Sequence, residues 1–335
     1  MKKTIEKISV IGDGGWGTTL AIFLLKKGYL VKLWGPFSDY ISHMRENRYN
    51  SKFLPDIKLP SALQLTSDLT YAVAEADLIV FAIPSRYARN IIKRLARVKT
   101  DFTKKFFVSV TKGIDNVSLE RISEMLVEWL GTVDVAVLSG PTIAIEVARN
   151  MPSTAVVAAR RATVAKIIQN VFNSQFFRVY TNTDVIGVEL CGSIKNIIAI
   201  ACGVCDGLGF GANTKAAILT RGLVEMARLG SVMGAKRKTF SGLAGLGDMV
   251  TTCFSPKSRN RYVGEQLGKG KFIDDILSSM EMVAEGVDTV KSVYKLSLKY
   301  EVYMPITHEV YHIIYKNKPP IDAVSSLMNR KLKSE

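Results

Sequence analysis

One lysine stands alone in the most apolar stretch of this chain. Lys195 is the only ionised side chain between Glu189 and Asp206, and residues 190–205 around it are almost free of polar groups. Burial strips water from an ammonium group and lowers its pKa toward the range that suits proton transfer near neutral pH. An unpaired buried charge is costly, so such a lysine needs a partner or a function. The alternative is a side chain that reaches water from a helix edge.

A glycine-rich turn near the start of the chain could bind phosphate. Gly12-Asp-Gly-Gly-Trp-Gly17 follows a short apolar strand and precedes a helical stretch and a second strand. Gly12 permits the tight turn, Gly14 lets the backbone approach a pyrophosphate, and Gly17 lets the helix pack on the strand. Because the helix N-terminus faces the phosphates, this order of elements predicts a dinucleotide site. A glycine-rich turn without a ligand is the alternative.

The residues that would choose between NAD and NADP are missing. The second strand ends in Trp34-Gly35-Pro36. That end offers neither the acidic residue that binds the ribose 2′-hydroxyl of NAD nor an arginine for the 2′-phosphate of NADP. Asp13 also places a carboxylate beside the expected anion, unless it points away. The expected cofactor is therefore NAD or NADP.

Strands and helices alternate through the first half of the chain. The predicted strands are Ile8–Ile11, Leu30–Trp34, Leu78–Ile83, Phe106–Val110, Val135–Leu138, Thr154–Ala158 and Phe177–Tyr180. This alternation predicts an α/β fold with a doubly wound parallel sheet of the Rossmann type, which binds ligands beyond the carboxyl ends of its strands. The glycine turn, Pro84-Ser85, Lys112 and residues 140–142 all follow predicted strands, so we expect them to line one crevice.

From Asp184 onward the pattern changes to long helical segments. Asn182-Thr-Asp184 supplies capping residues for the helix that carries Lys195. We expect a dinucleotide-binding domain over residues 1–185 and an all-helical domain for substrate binding and catalysis over residues 186–335. A chain of 335 residues is long enough for two such cores.

The chain is strongly basic, with 45 basic and 30 acidic residues and a net charge of +15. Arg86, Arg89, Lys93, Arg94 and Arg97 have helical spacing and would form one basic face. Charge alone leaves a nucleic-acid partner open. A solvated surface that attracts anionic substrates is favoured, and we expect a small phosphorylated substrate and no nucleic acid.

No signal peptide is recognisable, and the longest apolar run is shorter than the ~20 residues of a membrane span. The sequence therefore predicts a cytoplasmic protein without stable membrane insertion. A homodimer is compatible with the sequence, which does not itself give the oligomeric state.

Two short motifs could suggest metal or redox chemistry. Cys202-Gly-Val-Cys205 lies in an apolar helical segment without a second such pair, so buried free thiols are favoured. His308-Glu-Val-Tyr-His312 matches the H-E-x-x-H zinc motif. Because the only other histidine is His43, we interpret the match as chance and expect no metal.

Taken in order, the motifs resemble one family, the NAD(P)-dependent glycerol-3-phosphate dehydrogenases of the bacterial cytosolic type. The shared motifs span essentially the whole chain and are Gly12–Gly17, Thr111–Gly113, Ser139–Thr142, Lys195-Asn196, Asp206–Asn213, Gly242–Asp248, Ser258–Asn260, Val283–Gly286 and Met304–Ile306. The resemblance implies an oxidoreductase that interconverts sn-glycerol 3-phosphate and dihydroxyacetone phosphate, supplying glycerol 3-phosphate for phospholipid synthesis.

The resemblance also implies residue roles. Lys195 is similar to the general base that takes the 2-hydroxyl proton, Lys112 to a second lysine at the reacting carbons, and Asp248 to the carboxylate that orients Lys195. The implied substrate contacts are Lys112, Gly140, Thr142, Lys195, Asp248, Ser258, Arg259 and Asn260. The implied cofactor contacts are Gly12, Gly14, Gly15, Trp16, Gly17, Lys112, Ala144, Arg259, Val283 and Glu285.

Some features leave alternatives open. The N-terminal end of the helical stretch after Ser258 suits a phosphate group, although an ordinary helix cap explains the same residues. The chain departs from the family pattern at Asp13, Gly15 and Pro36, which puts cofactor preference in question. Another β-hydroxyacid-type dehydrogenase, or a non-catalytic basic protein that binds nucleotides or nucleic acid, remains an alternative.

Overall fold

The computed structural model describes residues 4–332 and 334. Residues 1–3, 333 and 335, at the outer limits of the two expected domains, lie outside the described residues. The chain divides into two compact units. The first comprises Met1–Lys112 and Glu120–Glu189, and the second comprises Gly113–Leu119 and Leu190–Glu335.

The first unit is built on strands. In chain order the strands are β1 (Lys7–Ile11), β2 (Leu30–Trp34), β3 (Tyr49–Asn50), β4 (Leu54–Lys58), β5 (Gln64–Thr66), β6 (Leu78–Phe81), β7 (Phe106–Ser109), β8 (Asp134–Ser139), β9 (Ser153–Ala159) and β10 (Phe177–Asn182). Eight of them form one sheet in the order β10-β9-β8-β7-β6-β1-β2-β5, while β3 and β4 pair as a separate antiparallel hairpin.

The eight-stranded sheet is parallel at every neighbouring pair except β8 with β9. Its order extends from β1 in both directions, which confirms the doubly wound α/β prediction. The antiparallel pair departs from the predicted all-parallel sheet. The link between β8 and β9 holds only the five-residue helix Ala144–Ala148, and the chain turns back there instead of crossing over the sheet.

Helices supply the remaining elements. The first unit has α1 (Gly15–Lys26), α2 (Ser38–Asn47), α3 (Leu69–Val73), α4 (Ser85–Ala96), α5 (Ile122–Leu130), α6 (Ala144–Ala148) and α7 (Ala162–Phe172). Helix α8 (Val185–Gly207) begins in the first unit and continues into the second. The second unit continues with α9 (Ala212–Val232), α10 (Arg237–Phe240), α11 (Asp248–Phe254), α12 (Arg259–Gly268), α13 (Ile273–Ser278), α14 (Glu285–Lys299), α15 (Pro305–Lys316) and α16 (Pro320–Met328).

Both faces of the sheet are buried. Leu78 and Val80 of β6 belong to one hydrophobic cluster, whereas Ile79 and Phe81 belong to the other. Successive side chains of a strand point to opposite faces, so a strand covered on both sides needs a continuous apolar run. This is why the central strands could be recognised in the sequence.

Helices α8 and α12 approach each other backbone to backbone. A methyl group added at Gly264 would meet the carbonyl oxygen of Ile200, and one added at Gly203 would meet the main chain of α12. The contact repeats four residues further along each helix, at Gly207 and Gly268. Since glycine has no Cβ, this spacing allows main-chain contact and leaves no room for a side chain between the helices.

Helix α8 begins with the predicted cap and is longer than the apolar run in the sequence. The Asp184 carboxylate accepts a hydrogen bond from the Gly187 N–H at 2.9 Å. At 23 residues, the helix is long and apolar enough to cross a membrane by length and composition. However, 94% of its most apolar window is buried inside the fold, as in a core helix.

The N-terminus of α15 is capped from another helix. Glu225 of α9 is 2% exposed, and its carboxylate accepts from the N–H groups of Ile306 at 2.7 Å and Thr307 at 3.1 Å. A carboxylate at this position satisfies helix N–H groups that have no intrahelical partner. Burial raises the pKa of Glu225 to about 7, although these donors act in the opposite direction.

Candidate active site

The glycine turn connects β1 to α1 and packs against Ala82, which directly follows β6. Gly12 has a φ of +120°, and a methyl group on it would lie 2.5 Å from the carbonyl oxygen of Ala82. A methyl group on Gly17 would meet the Gly12 carbonyl oxygen and lie 3.2 Å from the Ala82 Cβ. Both positions therefore require glycine, as the motif predicts.

The space in front of α1 is open. Gly14 is the N-cap residue of α1, and a methyl group added to it would meet no atom within 4 Å. The N–H groups of the first helical turn lack intrahelical partners and favour a negative charge at this end. The turn thus fits the pyrophosphate of a dinucleotide, with Gly12, Gly14 and Gly17 close to it.

The residues inside the turn are set by packing against distant segments. A methyl group on Gly15 would lie 2.7 Å from the carbonyl oxygen of Phe53, which lies between β3 and β4. This close approach gives a structural reason for glycine at this position, one of the three at which the chain departs from the family pattern. Trp16 is half-buried, and its ring centroid lies 6.5 Å from that of Phe177.

The Asn50 side chain stabilises the glycine turn through hydrogen bonds, a role that the sequence did not predict. Its Nδ2 donates to the Asp13 carbonyl oxygen at 2.7 Å and to the Thr18 Oγ1 at 2.7 Å. Thr18 Oγ1 also donates to the Asp13 carbonyl oxygen at 3.1 Å. A single asparagine in a two-residue strand carries no sequence signal of this role.

A second cluster lies at the carboxyl ends of β7 and β8. The Nζ of Lys112 donates to the Gly140 carbonyl oxygen at 3.2 Å, and the Oγ1 of Thr142 donates to the same oxygen at 3.2 Å. Ala144 begins α6, and its carbonyl oxygen accepts from Thr19 Oγ1 of α1 at 3.2 Å. Because β1, β6, β7 and β8 are adjacent, these residues share one sheet edge with the glycine turn, as predicted.

The second unit contains a buried lysine centre. Lys195 of α8 is 4% exposed, which excludes the alternative that it reaches water from a helix edge. Its Nζ forms an ion pair with the carboxylate of Asp248 and donates to the Oγ1 of Thr252 at 2.5 Å. Asp248 is 1% exposed, so the two opposite charges are buried together. This contact is the one that the family resemblance implies for the pair.

Local structure delivers both partners to Lys195. The glycine-rich segment Leu243–Gly247 forms a π-helical turn that leads into α11, of which Asp248 is the first residue. Thr252 follows one helical turn later on the same face, and its Oγ1 also donates to the Asp248 carbonyl oxygen at 2.6 Å. Thr252 was missed in the sequence, although its spacing of four residues from Asp248 is a signal that could have found it.

The three residues of the Ser258–Asn260 motif make different contacts. Ser258 is the N-cap residue of α12, and its Oγ accepts from the Arg261 N–H at 3.2 Å. Asn260 is buried, and its Oδ1 accepts from the Gly286 N–H at 2.8 Å. Arg259 is exposed, and within the described part of the chain it has no hydrogen-bond or ion-pair partner. The Arg259 guanidinium is therefore available to an anion.

The Asn260 bond ties α12 to the start of α14. Glu285 is the first residue of α14, and its carbonyl oxygen accepts from Thr289 Oγ1 at 2.7 Å. Val283 lies two residues earlier and is half-buried. The structure thus places Glu285 next to the glycine whose N–H binds Asn260, and the role of Val283 stays a prediction.

The apparent metal and redox motifs have ordinary partners. His308 Nε2 lies 2.7 Å from the Ser297 Oγ, and Glu309 pairs with Lys318 at 2.6 Å. Over residues 4–332 and 334 no group of three His, Cys, Asp or Glu side chains could hold a metal ion. The four cysteines are buried free thiols, and burial raises the pKa of Cys205 to about 12, which disfavours a thiolate there.

Comparisons with known proteins agree with this geometry. Residues 7–165 match the family model described as NAD-dependent glycerol-3-phosphate dehydrogenase N-terminus, and residues 184–325 match that of the C-terminus. The chain is 49% identical over 331 residues to a glycerol-3-phosphate dehydrogenase [NAD(P)+] of Prosthecochloris aestuarii, covering 98% of this chain and 99% of that one. It is 48% identical over 335 residues to the enzyme of the same name from Citrifermentans bemidjiense, with the same coverage.

Solved structures give the same result. The crystal structure of glycerol-3-phosphate dehydrogenase from Coxiella burnetii superposes with a TM-score of 0.94 at 39% identity, covering 97% of this chain and 99% of that one. The yeast glycerol-3-phosphate dehydrogenase superposes with a TM-score of 0.82 at 29% identity, covering 98% of this chain and 100% of that one. The chain therefore belongs to the NAD-dependent glycerol-3-phosphate dehydrogenase family.

Proposed function

We propose that this protein interconverts sn-glycerol 3-phosphate and dihydroxyacetone phosphate with NAD(P), and that Lys195 is its general acid and base. The observation that carries the proposal is the buried contact of Lys195 with Asp248 and Thr252. An amine held by a carboxylate and a hydroxyl has a defined position from which it can exchange a proton with a substrate oxygen. Family membership over nearly the whole chain supports the choice of substrate.

In the oxidation, the proton leaves the 2-hydroxyl oxygen and the hydride leaves C2, so the base and the hydride acceptor have to reach neighbouring atoms of the substrate. In oxidation, Lys195 in its neutral form takes the proton of the 2-hydroxyl group as the hydride leaves C2. In reduction, the ammonium form returns a proton to the carbonyl oxygen of dihydroxyacetone phosphate. Bound NAD(P) supplies the hydride acceptor or donor. Asp248 and Thr252 keep the Lys195 Nζ in place through both directions.

The substrate phosphate has a suitable seat at the start of α12. Arg259 presents an exposed guanidinium there, and the helix N-terminus favours a negative charge. Ser258 serves the same seat by ordering the first turn of the helix. Lys112, Thr142 and the Gly140 carbonyl form the polar cluster that we assign to the reacting carbons.

We assign the cofactor to the glycine turn, with Gly12, Gly14, Gly15, Trp16 and Gly17 in contact. Lys112, Ala144, Arg259, Val283 and Glu285 complete the proposed set of cofactor contacts. Residues 1–185 then bind the dinucleotide, and residues 186–335 bind the substrate and carry the base.

Two cations of the basic face pack on aromatic rings of their own unit. On α4, the Arg94 guanidinium lies 5.3 Å from the ring centroid of Trp34, and Lys93 lies 5.2 Å from that of Trp129. Family membership, rather than this surface, favours a small phosphorylated substrate over a nucleic-acid partner. We propose a cytoplasmic enzyme that supplies glycerol 3-phosphate for phospholipid synthesis, with a homodimer compatible with its sequence.

The decisive experiment is oxidation of NADH and of NADPH by the purified protein with dihydroxyacetone phosphate, each cofactor tested separately. We expect turnover with at least one of them, and loss of that turnover in Lys195→Met. A panel of oxo-acids tests the β-hydroxyacid alternative, which requires faster turnover with one of those acids. Steeply salt-dependent binding to DNA or RNA, without any turnover, would support the non-catalytic alternative instead.

A further inference from the structure

A carboxylate occupies the place that the end of β2 leaves vacant. The side chain of Asp13, the second residue of the glycine turn, packs against Gly35, which directly follows β2. A methyl group on Gly35 would meet the Asp13 Oδ2 and lie 2.5 Å from the Asp13 Cγ. Gly35 thus has no side chain because the Asp13 carboxylate fills that space.

One oxygen of the Asp13 carboxylate lacks a donor. The side chain is 7% exposed, and among the described residues its Oδ2 has no hydrogen-bond partner. Its main-chain carbonyl is held by Thr18 and Asn50, so the residue is fixed in position while the Oδ2 remains unsatisfied. Burial raises the pKa of Asp13 to about 6, although a hydrogen bond from its own backbone N–H and the charge of Lys52 act in the opposite direction. A buried acceptor without a donor is costly, which indicates that a ligand supplies the donor.

Dinucleotide-binding folds place the adenosine ribose between the glycine turn and the end of the second strand. In most of them an acidic residue at that strand end accepts from the ribose hydroxyls. Here the strand end contributes Gly35 and Pro36, and the acidic group comes from the turn. We infer that Asp13 binds the ribose diol of NAD(H) and excludes the 2′-phosphate of NADP(H), and so selects NAD. This inference rests on the proposed cofactor role of the glycine turn.

Lys52 is the cation that could favour the opposite preference. Its positive charge lowers the pKa of Asp13, against the larger effect of burial, and its Nζ lies 4.9 Å from the ring centroid of Tyr40. If Lys52 rather than Asp13 decided recognition, it would attract the 2′-phosphate and the protein would prefer NADPH. Preference for NADH would therefore indicate that Asp13 decides cofactor recognition, and preference for NADPH would indicate Lys52.

The test measures binding to the full-length protein without substrate, by calorimetry, for NADH and NADPH. We expect the unmodified protein to bind NADH at least tenfold more tightly. Asp13→Asn keeps the size of the side chain and removes its charge, and Asp13→Ala removes the whole carboxylate. Both should reduce the ratio of the two dissociation constants by about tenfold or more. The exposed Asp39→Asn on α2 is the matched control and should leave the ratio unchanged.

Three results would overturn the inference. These are equal or tighter binding of NADPH by the unmodified protein, an equal change in both dissociation constants in the Asp13 variants, and a shift of the ratio in Asp39→Asn. Thermal unfolding of each variant checks that it is folded. Since binding is measured without dihydroxyacetone phosphate, failure here leaves the turnover assay of the proposed function unaffected. Turnover with NADPH alone would support that function while refuting selection by Asp13.

Discussion

Removing the charge of Lys195 separates its chemical role from its structural one. In Lys195→Met the Asp248 carboxylate stays buried, at 1% exposure, without the ammonium group that neutralises it. Breaking a buried ion pair by deleting one partner costs about 3–5 kcal/mol of unfolding free energy. Turnover should also fall by roughly a hundredfold or more, because proton transfer by a positioned group contributes about that much.

The double variant Lys195→Met/Asp248→Asn distinguishes these effects. With both charges removed, no unpaired charge stays buried, so most of the lost stability should return. Turnover should stay at least a hundredfold below that of the unmodified protein, while NADH binding stays unchanged in both variants. Urea unfolding, calorimetry and steady-state kinetics give the three quantities. Recovery of turnover together with stability in the double variant would show that Lys195 only maintains the structure and would refute its role in proton transfer.

The remaining predictions concern the cofactor turn, the substrate phosphate and the cap of α15. Gly17→Ala forces a methyl group onto the Gly12 carbonyl and should lower both the melting temperature and the NADH affinity. Gly14→Ala, with open space around it, should lower the NADH affinity alone. Equal losses of melting temperature in the two variants, measured by calorimetry, would contradict this. Arg259→Ala should raise KM for dihydroxyacetone phosphate about tenfold or more, whereas the neighbouring Lys257→Ala should change it little; similar values for both would refute a specific phosphate contact. Burial raises the pKa of Glu225 to about 7 in the folded protein, from 4.5 for the free side chain. The folded state therefore binds more protons than the unfolded state between these two values, so the free energy of unfolding falls as the pH rises from 4.5 to about 7. Glu225→Gln should remove this decline, roughly 3 kcal/mol, in urea unfolding at pH 5 and pH 8; an unchanged decline would rule out Glu225 as its source.

Much of the first unit could be predicted because its strands are covered on both faces. The bounds of β2 match the predicted strand Leu30–Trp34, since Gly28 and Gly35 mark the ends of this mostly apolar run in the sequence. The direction of β9 could not be predicted, because an apolar run looks the same in either orientation. The β3–β4 hairpin was missed, since a strand of two residues has no periodicity to detect.

The site was predicted where a motif is local and missed where it depends on distant contacts. The glycine turn is contiguous, so the conformation of Gly12 could be read from it. Thr252 and Asn50 contact residues 57 and 37 positions away, respectively, and only Thr252 lies near a motif, four residues after Asp248. The pairing of Lys195 with Asp248 came from family resemblance, because nothing in the spacing of two residues 53 positions apart requires it.

The main-chain contact between α8 and α12 bears on which substrates can react. Lys195 lies on α8, and the proposed phosphate seat lies at the first residue of α12, Arg259. Glycines lock the two helices together, so rotation of side chains cannot change the separation of their axes. The separation of the two helix backbones that carry Lys195 and Arg259 is therefore set by main-chain contact, and a change at any of these four glycines should move the proposed base relative to the proposed phosphate contact.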